Sequence, residues 1–145
     1  MFLRVLCRWT VLALVCLSLC IPGCGSSGPR VVKVTGTVTR GGKPVERLVV
    51  NFEPQHGRPS WGVTDKDGRY SLNYEPGRDG AITGTHKVWV EIRPASPKEE
   101  ADLRNGVLQL HPEIKSILKK YGNFETTPLR VEVNQNNRVI DLQLD

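Results

Sequence analysis

Lys87-Val88-Trp89-Val90-Glu91-Ile92 is the stretch on which the fold class turns. Val88, Val90 and Ile92 recur at every second residue. In extended backbone they share one face, while Lys87, Trp89 and Glu91 share the other. The same period runs outward in both directions. Val32, Val34 and Val38 carry it before, followed by Leu48, Val50 and Phe52, then Trp61 and Val63, then Tyr70, Leu72 and Tyr74. Leu129, Val131 and Val133 carry it after, and Ile140, Leu142 and Leu144 close the series. Seven strands separated by turn residues predict an all-β sandwich, with one face of each strand turned inward.

The connections support this reading. Gly41-Gly42 before Lys43-Pro44 reads as a turn, and residues 54–59 as a loop between two prolines. Thr64-Asp65-Lys66-Asp67-Gly68 predicts a hairpin, because Gly68 takes the positive φ that such a turn needs. Residues 75–83 read as a second loop, opened by Pro76-Gly77. Between about 96 and 121 the period changes. Ser96-Pro97-Lys98-Glu99 has capping-box spacing with Pro at the first helical position, and predicts a short helix to about Asn105, stopped by Gly106. Ile114, Ile117, Leu118 and Tyr121 repeat at helical spacing after Pro112 and before Gly122, which predicts a second helix. The sandwich is thus expected to carry a short helical insertion.

Several of these stretches resemble one family. Val34-Thr35-Gly36-Thr37-Val38 with Gly42-Lys43-Pro44-Val45 resembles the opening of the carboxypeptidase regulatory-like, transthyretin-like sandwiches. Thr64-Asp65-Lys66-Asp67-Gly68-Arg69-Tyr70 resembles their second hairpin. Gly84-Thr85-His86-Lys87-Val88, and Tyr121 with Thr127-Pro128-Leu129-Arg130-Val131-Glu132-Val133, resemble the later strands of a planctomycete-type lipoprotein version. The resemblance spans residues 31–145 and implies a seven-stranded transthyretin-like sandwich. Because its motifs are turn and strand chemistry, it implies little about activity.

Residues 1–23 differ from everything that follows. Arg4 and Arg8 supply a basic start, Trp9 to Ile21 is apolar apart from Thr10 and Ser18, and Pro22-Gly23-Cys24 closes the run. The apolar stretch is shorter than the roughly 20 residues that a helix needs to span a bilayer. It reads instead as an export signal. Ile21-Pro22-Gly23-Cys24 resembles a bacterial lipobox, which implies that Cys24 receives acyl chains of the palmitate kind. The expected product is a lipoprotein of the cell membrane or outer membrane, facing the periplasm or the exterior. Residues 24–30 form its flexible tether and 31–145 its single domain. Cys7, Cys16 and Cys20 would leave with the signal. The remaining domain would then have no disulfide, no thiol nucleophile and no Cys-based metal site.

Charged residues make up 24% and hydrophobic residues 39% of the 145, a balance that argues against wholesale disorder. There are 20 Lys and Arg against 15 Asp and Glu, interleaved along the chain. Nucleic-acid binders cluster their basic residues on one stripe, so no nucleic-acid partner is expected. The expected partners are the membrane, through the lipid, and an envelope protein or glycan.

Catalytic chemistry has little to stand on. Hydrolases of 5-hydroxyisourate are similar in fold, and the resemblance implies four functional positions, of which this sequence matches only Arg69. Asp65-Lys66-Asp67-Gly68 could open a calcium loop, but the twelfth position, which needs a bidentate acid, is Pro76, and the turn reading is preferred. His56, His86 and His111 lie in three segments without metal-site spacing, and are expected on loops or edges. Neither a catalytic residue nor a cofactor is expected. Trp61 and Trp89 mark a candidate binding surface. An exposed aromatic there would stack a sugar or dock a protein. The helices of the insertion are expected to cover the Trp89 face, since Ile117, Leu118 and Tyr121 also need a partner surface. The expected function is a non-catalytic binding, interaction or structural module, with a carbohydrate-binding module as the alternative and a hydrolase behind both.

Overall fold

The computed structural model describes residues 28–145. The expected signal segment 1–23 and the lipid site Cys24 lie outside the described residues. The described part of the tether, residues 28–30, is exposed and has no regular structure.

Twelve strand segments and two helices are present among the described residues. β1 (Val31–Val32) and β2 (Thr35–Arg40) precede β3 (Lys43–Pro44) and β4 (Leu48–Pro54). Next come β5 (Ser60–Val63), β6 (Arg69–Ser71) and β7 (Asn73–Glu75). β8 (Arg78–Asp79) and β9 (Ala81–Ile82) lead into the longest strand, β10 (Gly84–Ile92). α1 (Pro97–Arg104) and α2 (Pro112–Tyr121) are followed by β11 (Arg130–Val133) and β12 (Leu142–Leu144). The chain is mostly β.

A six-stranded sheet runs β11-β10-β4-β5-β7-β8, with every pair antiparallel. β2 organises a second sheet. β12 lies along one of its edges in parallel, and β6 and β3 lie along the other, antiparallel. β1 and β9 form a separate antiparallel pair. The inward residues of β4 and β10 (Leu48, Val50, Phe52, Val88 and Val90) are completely buried. Val38, Tyr70, Leu142 and Leu144 from the second sheet enter the same core. Branched side chains on a pleated surface fill such a layer with little rotamer freedom to lose.

Two of the expected strands are cut in two. The stretch 32–39 divides into β1 and β2, and 70–74 divides into β6 and β7, each piece in a different sheet. Leu72 is the corner of the second break. Its N–H donates to the Val34 carbonyl at 3.0 Å, while its own carbonyl accepts from Gly80 N at 2.8 Å. The expected hairpin therefore keeps its turn but not its ladder. Gly68 N donates to Asp65 O at 2.9 Å, yet β6 pairs with β2 and only β7 pairs with β5. Two-residue strands also occupy both turn and loop, as β3, β8 and β9.

Both helices form where expected. Ser96 caps α1, its Oγ accepting from Glu99 N at 3.2 Å. The reciprocal arm of the box goes elsewhere, because the Glu99 carboxylate takes the Ala95 N–H and the Arg47 guanidinium. α1 buries no residue, whereas α2 buries Ile117 and Tyr121. No helix among the described residues is long and apolar enough to cross a membrane.

Candidate binding face

The register of the large sheet brings the two tryptophans into one row. Trp89 on β10 stands opposite Asn51 on β4, Asn51 opposite Trp61 on β5, and Trp61 opposite Asn73 on β7. Directly opposed residues share a face. Their chain neighbours Val88, Val90, Val50, Phe52, Leu72 and Tyr74 point into the protein, so the row points outward. Trp61 is 50% exposed, while Asn51, Asn73 and Trp89 are half-buried. Trp61 and Trp89 are two strands apart, a separation of about 10 Å at the usual strand spacing.

Two donors in this row have no protein acceptor: the Asn51 side-chain amide at Nδ2 and the Trp89 indole at Nε1. Both atoms are shielded by their surroundings. A shielded donor left unpaired costs about 1–3 kcal/mol, so the row carries unused hydrogen-bonding capacity. None of its four side chains ionises in water. The row can stack and hydrogen-bond, but it offers no nucleophile, acid or base.

A charged row flanks it on one side and a largely apolar row on the other. On one side Lys87 stands between Glu53 on β4 and Arg130 on β11. The Lys87 ammonium sits 4.3 Å from the centre of the Phe124 ring and donates to Glu125 O at 3.0 Å. Glu53, Lys87, Phe124 and Arg130, with Pro54, Gln55 and Thr85, line a groove of about 430 Å³. On the other side Glu91 stands opposite Val49, which faces Val63.

The helices reach the margin of the Trp89 face as well as the core, since Leu103 of α1 and Leu118 of α2 line a hollow of about 440 Å³ with the outward Val49 and Glu91. Ile117 and Tyr121 join the core with Val88 and Val90, on the opposite side of β10. Their partner surface is the interior, because α2 lies where Arg40 of β2 can bond its Glu113 carbonyl at 2.6 Å and its Ser116 hydroxyl at 3.1 Å. Sequence reasoning marked Trp61 and Trp89 but missed Asn51 between them. Its outward parity on β4 was legible, but its position between two indoles depends on register.

The remaining candidates are dispersed. Arg69 projects from the turn, its side chain 71% exposed and its guanidinium 3.6 Å from Asp67 Oδ2. Asp65 Oδ1 accepts from the backbone N–H groups of Asp67 and Arg69, both at 2.9 Å, and so closes the turn. Among the described residues, no three His, Cys, Asp or Glu side chains gather closely enough to hold a metal ion. His56 and His111 are exposed, and His111 caps α2. His86 departs from expectation. It lies on β10 with the inward parity and is fully buried against Phe52, with ring centres 5.9 Å apart. Its Nε2 meets the Ile82 carbonyl at 2.8 Å, and Nδ1 has no partner. Inward parity on β10 outweighed its polarity.

Compared with family models, curated proteins and solved structures, the chain matches none of them.

Proposed function

We propose that this protein is a lipid-anchored cell-envelope module that binds a partner through the outer face of its large sheet and performs no catalysis. The observation that carries the reading is the row centred on Trp61. An exposed indole on the outer face of a sheet, beside the Asn51 amide, is a recognition surface rather than a reaction centre. The anchor is inferred from Ile21-Pro22-Gly23-Cys24, with residues 24–30 as a tether. Two sheets feeding one core support a transthyretin-like sandwich, and its seven-strand plan is inferred from the resemblance. The exposed side chain of Arg69, engaged with its own turn, supports the non-catalytic reading over a hydrolase.

The test is retention on cell-envelope preparations, with the protein compared to Trp61→Ala. Wild type is expected to be retained and the variant to be released, with unchanged thermal melting. Equal retention of the two would overturn the outer face as the binding surface.

A further inference from the structure

The outer-face reading can be taken to a ligand class, and the following rests on it. We infer that the row Trp61–Asn51–Trp89 binds an uncharged, extended polysaccharide whose chain runs across the strands. Three features of the face converge on this ligand.

The first is chemical. A pyranose presents a flat array of C–H bonds to an indole and hydroxyl or ring oxygens around its rim. The face offers the half-exposed Trp61 ring for stacking, with the Asn51 Nδ2 and Trp89 Nε1 donors beside it lacking protein acceptors but shielded in the free protein. Rotation of the Asn51 amide on its half-buried stem would present that donor to a hydroxyl. Along β4, and at Trp61 of β5, the backbone is paired on both sides, so an added peptide strand finds no edge at the centre of the row. Recognition here must come from side chains.

The second is spacing. Adjacent strands lie about 4.8 Å apart, close to the rise of one sugar unit in an extended β-linked glycan. One unit over Trp61 therefore puts the next over Asn51 and a third over Trp89. An α-linked glucan coils and leaves such a row after one contact.

The third is charge. The row is uncharged, and its flanks carry both signs, with Glu53 and Glu91 against Lys87 and Arg130. A polyanion would meet carboxylates on both sides. A protein partner would need a wider apolar centre than this face supplies, since its exposed large hydrophobic residues are Trp61 in the row and Phe124 on the flank, the latter already under the Lys87 ammonium.

The experiment is titration of the full-length protein in detergent with cellohexaose, chitohexaose and maltohexaose, read by tryptophan fluorescence and affinity electrophoresis. At least one of the two β-linked hexaoses should bind and change the indole emission, with maltohexaose much weaker. Trp61→Ala should weaken that binding by about tenfold or more, a change of about 1.4 kcal/mol, while Trp61→Tyr recovers part of it. Binding that ignores Trp61→Ala, a preference for maltohexaose, or no binding of either β-linked hexaose would overturn the inference. Failure here and failure of the outer-face reading are distinguishable. If envelope retention still requires Trp61 but is abolished by protease treatment of the envelope, the surface stands and its ligand is a protein.

Discussion

Tyr70 donates its phenolic hydrogen to the carbonyl of Ile140 at 2.6 Å, across a buried junction between chain segments far apart in sequence. Gly36 makes the junction possible. A Cβ at that position would lie 1.8 Å from the Ile140 oxygen and 3.0 Å from the Tyr70 hydroxyl. This hydrogen bond and this missing side chain add to the parallel ladder that holds the closing segment against β2, where the Asp141 carboxylate also takes the Thr37 N–H at 2.8 Å and its hydroxyl at 2.7 Å.

Tyr70→Phe is expected to lower unfolding free energy by about 1–3 kcal/mol, since a buried carbonyl loses its donor. Gly36→Ala should cost about 3 kcal/mol, at the upper end for an overpacked site, because the obstacle is backbone rather than a yielding side chain. Urea unfolding followed by tryptophan fluorescence would measure both. A Gly36→Ala protein as stable as wild type would contradict the close approach.

Alkaline pH should weaken the same junction. Burial, and then the nearby Asp141 carboxylate, hold the Tyr70 hydroxyl well above the ordinary tyrosine value of 10.0. A group whose value is raised on folding contributes stability that is complete below its unfolded value. That contribution is lost as pH climbs above it toward the folded value. Stability should therefore fall from about pH 10 upward, and Tyr70→Phe should flatten the fall. An identical alkaline slope in the variant would remove Tyr70 as the cause.

Gly68 closes the turn at a φ of 71°, and a Cβ there would lie 2.6 Å from the Val38 oxygen. Gly68→Val should cost about 1–3 kcal/mol from the backbone conformation, with the contact adding to it. Glycan binding per folded molecule should not change. Both readings can be taken on one preparation, by thermal melting and by titration.

The contrast between Gly68 and Leu72 shows how far the sequence could be read. Asp-Gly in a short polar connection encodes its own turn, because the glycine conformation and the Asp65 bonds are local. Leu72 looks like the middle of an ordinary strand. Its alternation with Tyr70 and Tyr74 says which side is buried, and nothing about a change of sheet there. That change depends on Val34, distant in sequence, and on Gly80 across the following loop. Nor does alternation carry strand direction, so the parallel pairing of β12 with β2 was not legible. The binding row has the same limit: Trp61 and Trp89 stood out as residues, while their union through Asn51 required the ladder.

Arg47 ties α1 to the sheets. It holds a φ of 62° and donates to both oxygens of Glu99 at 2.7 Å and to Arg93 O at 2.9 Å from the same guanidinium nitrogen. The clamp and the strained backbone predict an order among variants. Arg47→Ala loses the clamp and keeps the unfavourable conformation, whereas Arg47→Gly loses the clamp and relieves it. Arg47→Ala should be the less stable of the two. Hydrogen exchange should rise over residues 97–104 in both, because α1 buries no residue of its own. Equal protection of α1 in wild type and both variants would show that something else docks it.

Acid should act on that clamp in the opposite sense to alkali on Tyr70. The Arg47 guanidinium, and then the Ala95 N–H, hold the Glu99 carboxyl below its ordinary value of 4.5. A depressed value contributes stability above the unfolded value and loses it as pH falls through the folded one. The pair is open to solvent, so the effect should be small and screened by salt. Glu99→Gln should reduce the acid dependence below about pH 4.5, measured as the urea midpoint at low ionic strength. A variant with the same acid profile as wild type would assign that dependence to other carboxylates.

Anchoring is the remaining prediction, and it rests on residues before the described domain. One acyl chain holds a protein to a bilayer only marginally, so a stable anchor needs a second chain or a basic patch. The charges after Cys24 are interleaved rather than clustered, so the lipid on Cys24 should carry more than one chain. The wild-type protein should partition with membranes and show the mass of a chain that begins at an acylated Cys24. Cys24→Ser should move to the soluble fraction or stay unprocessed. Because the described strands, helices and core lie within residues 31–145, the variant should melt at the wild-type temperature and keep its hexaose binding. An intact mass showing an unmodified mature N-terminus at another residue would sink the anchor and leave the binding face standing.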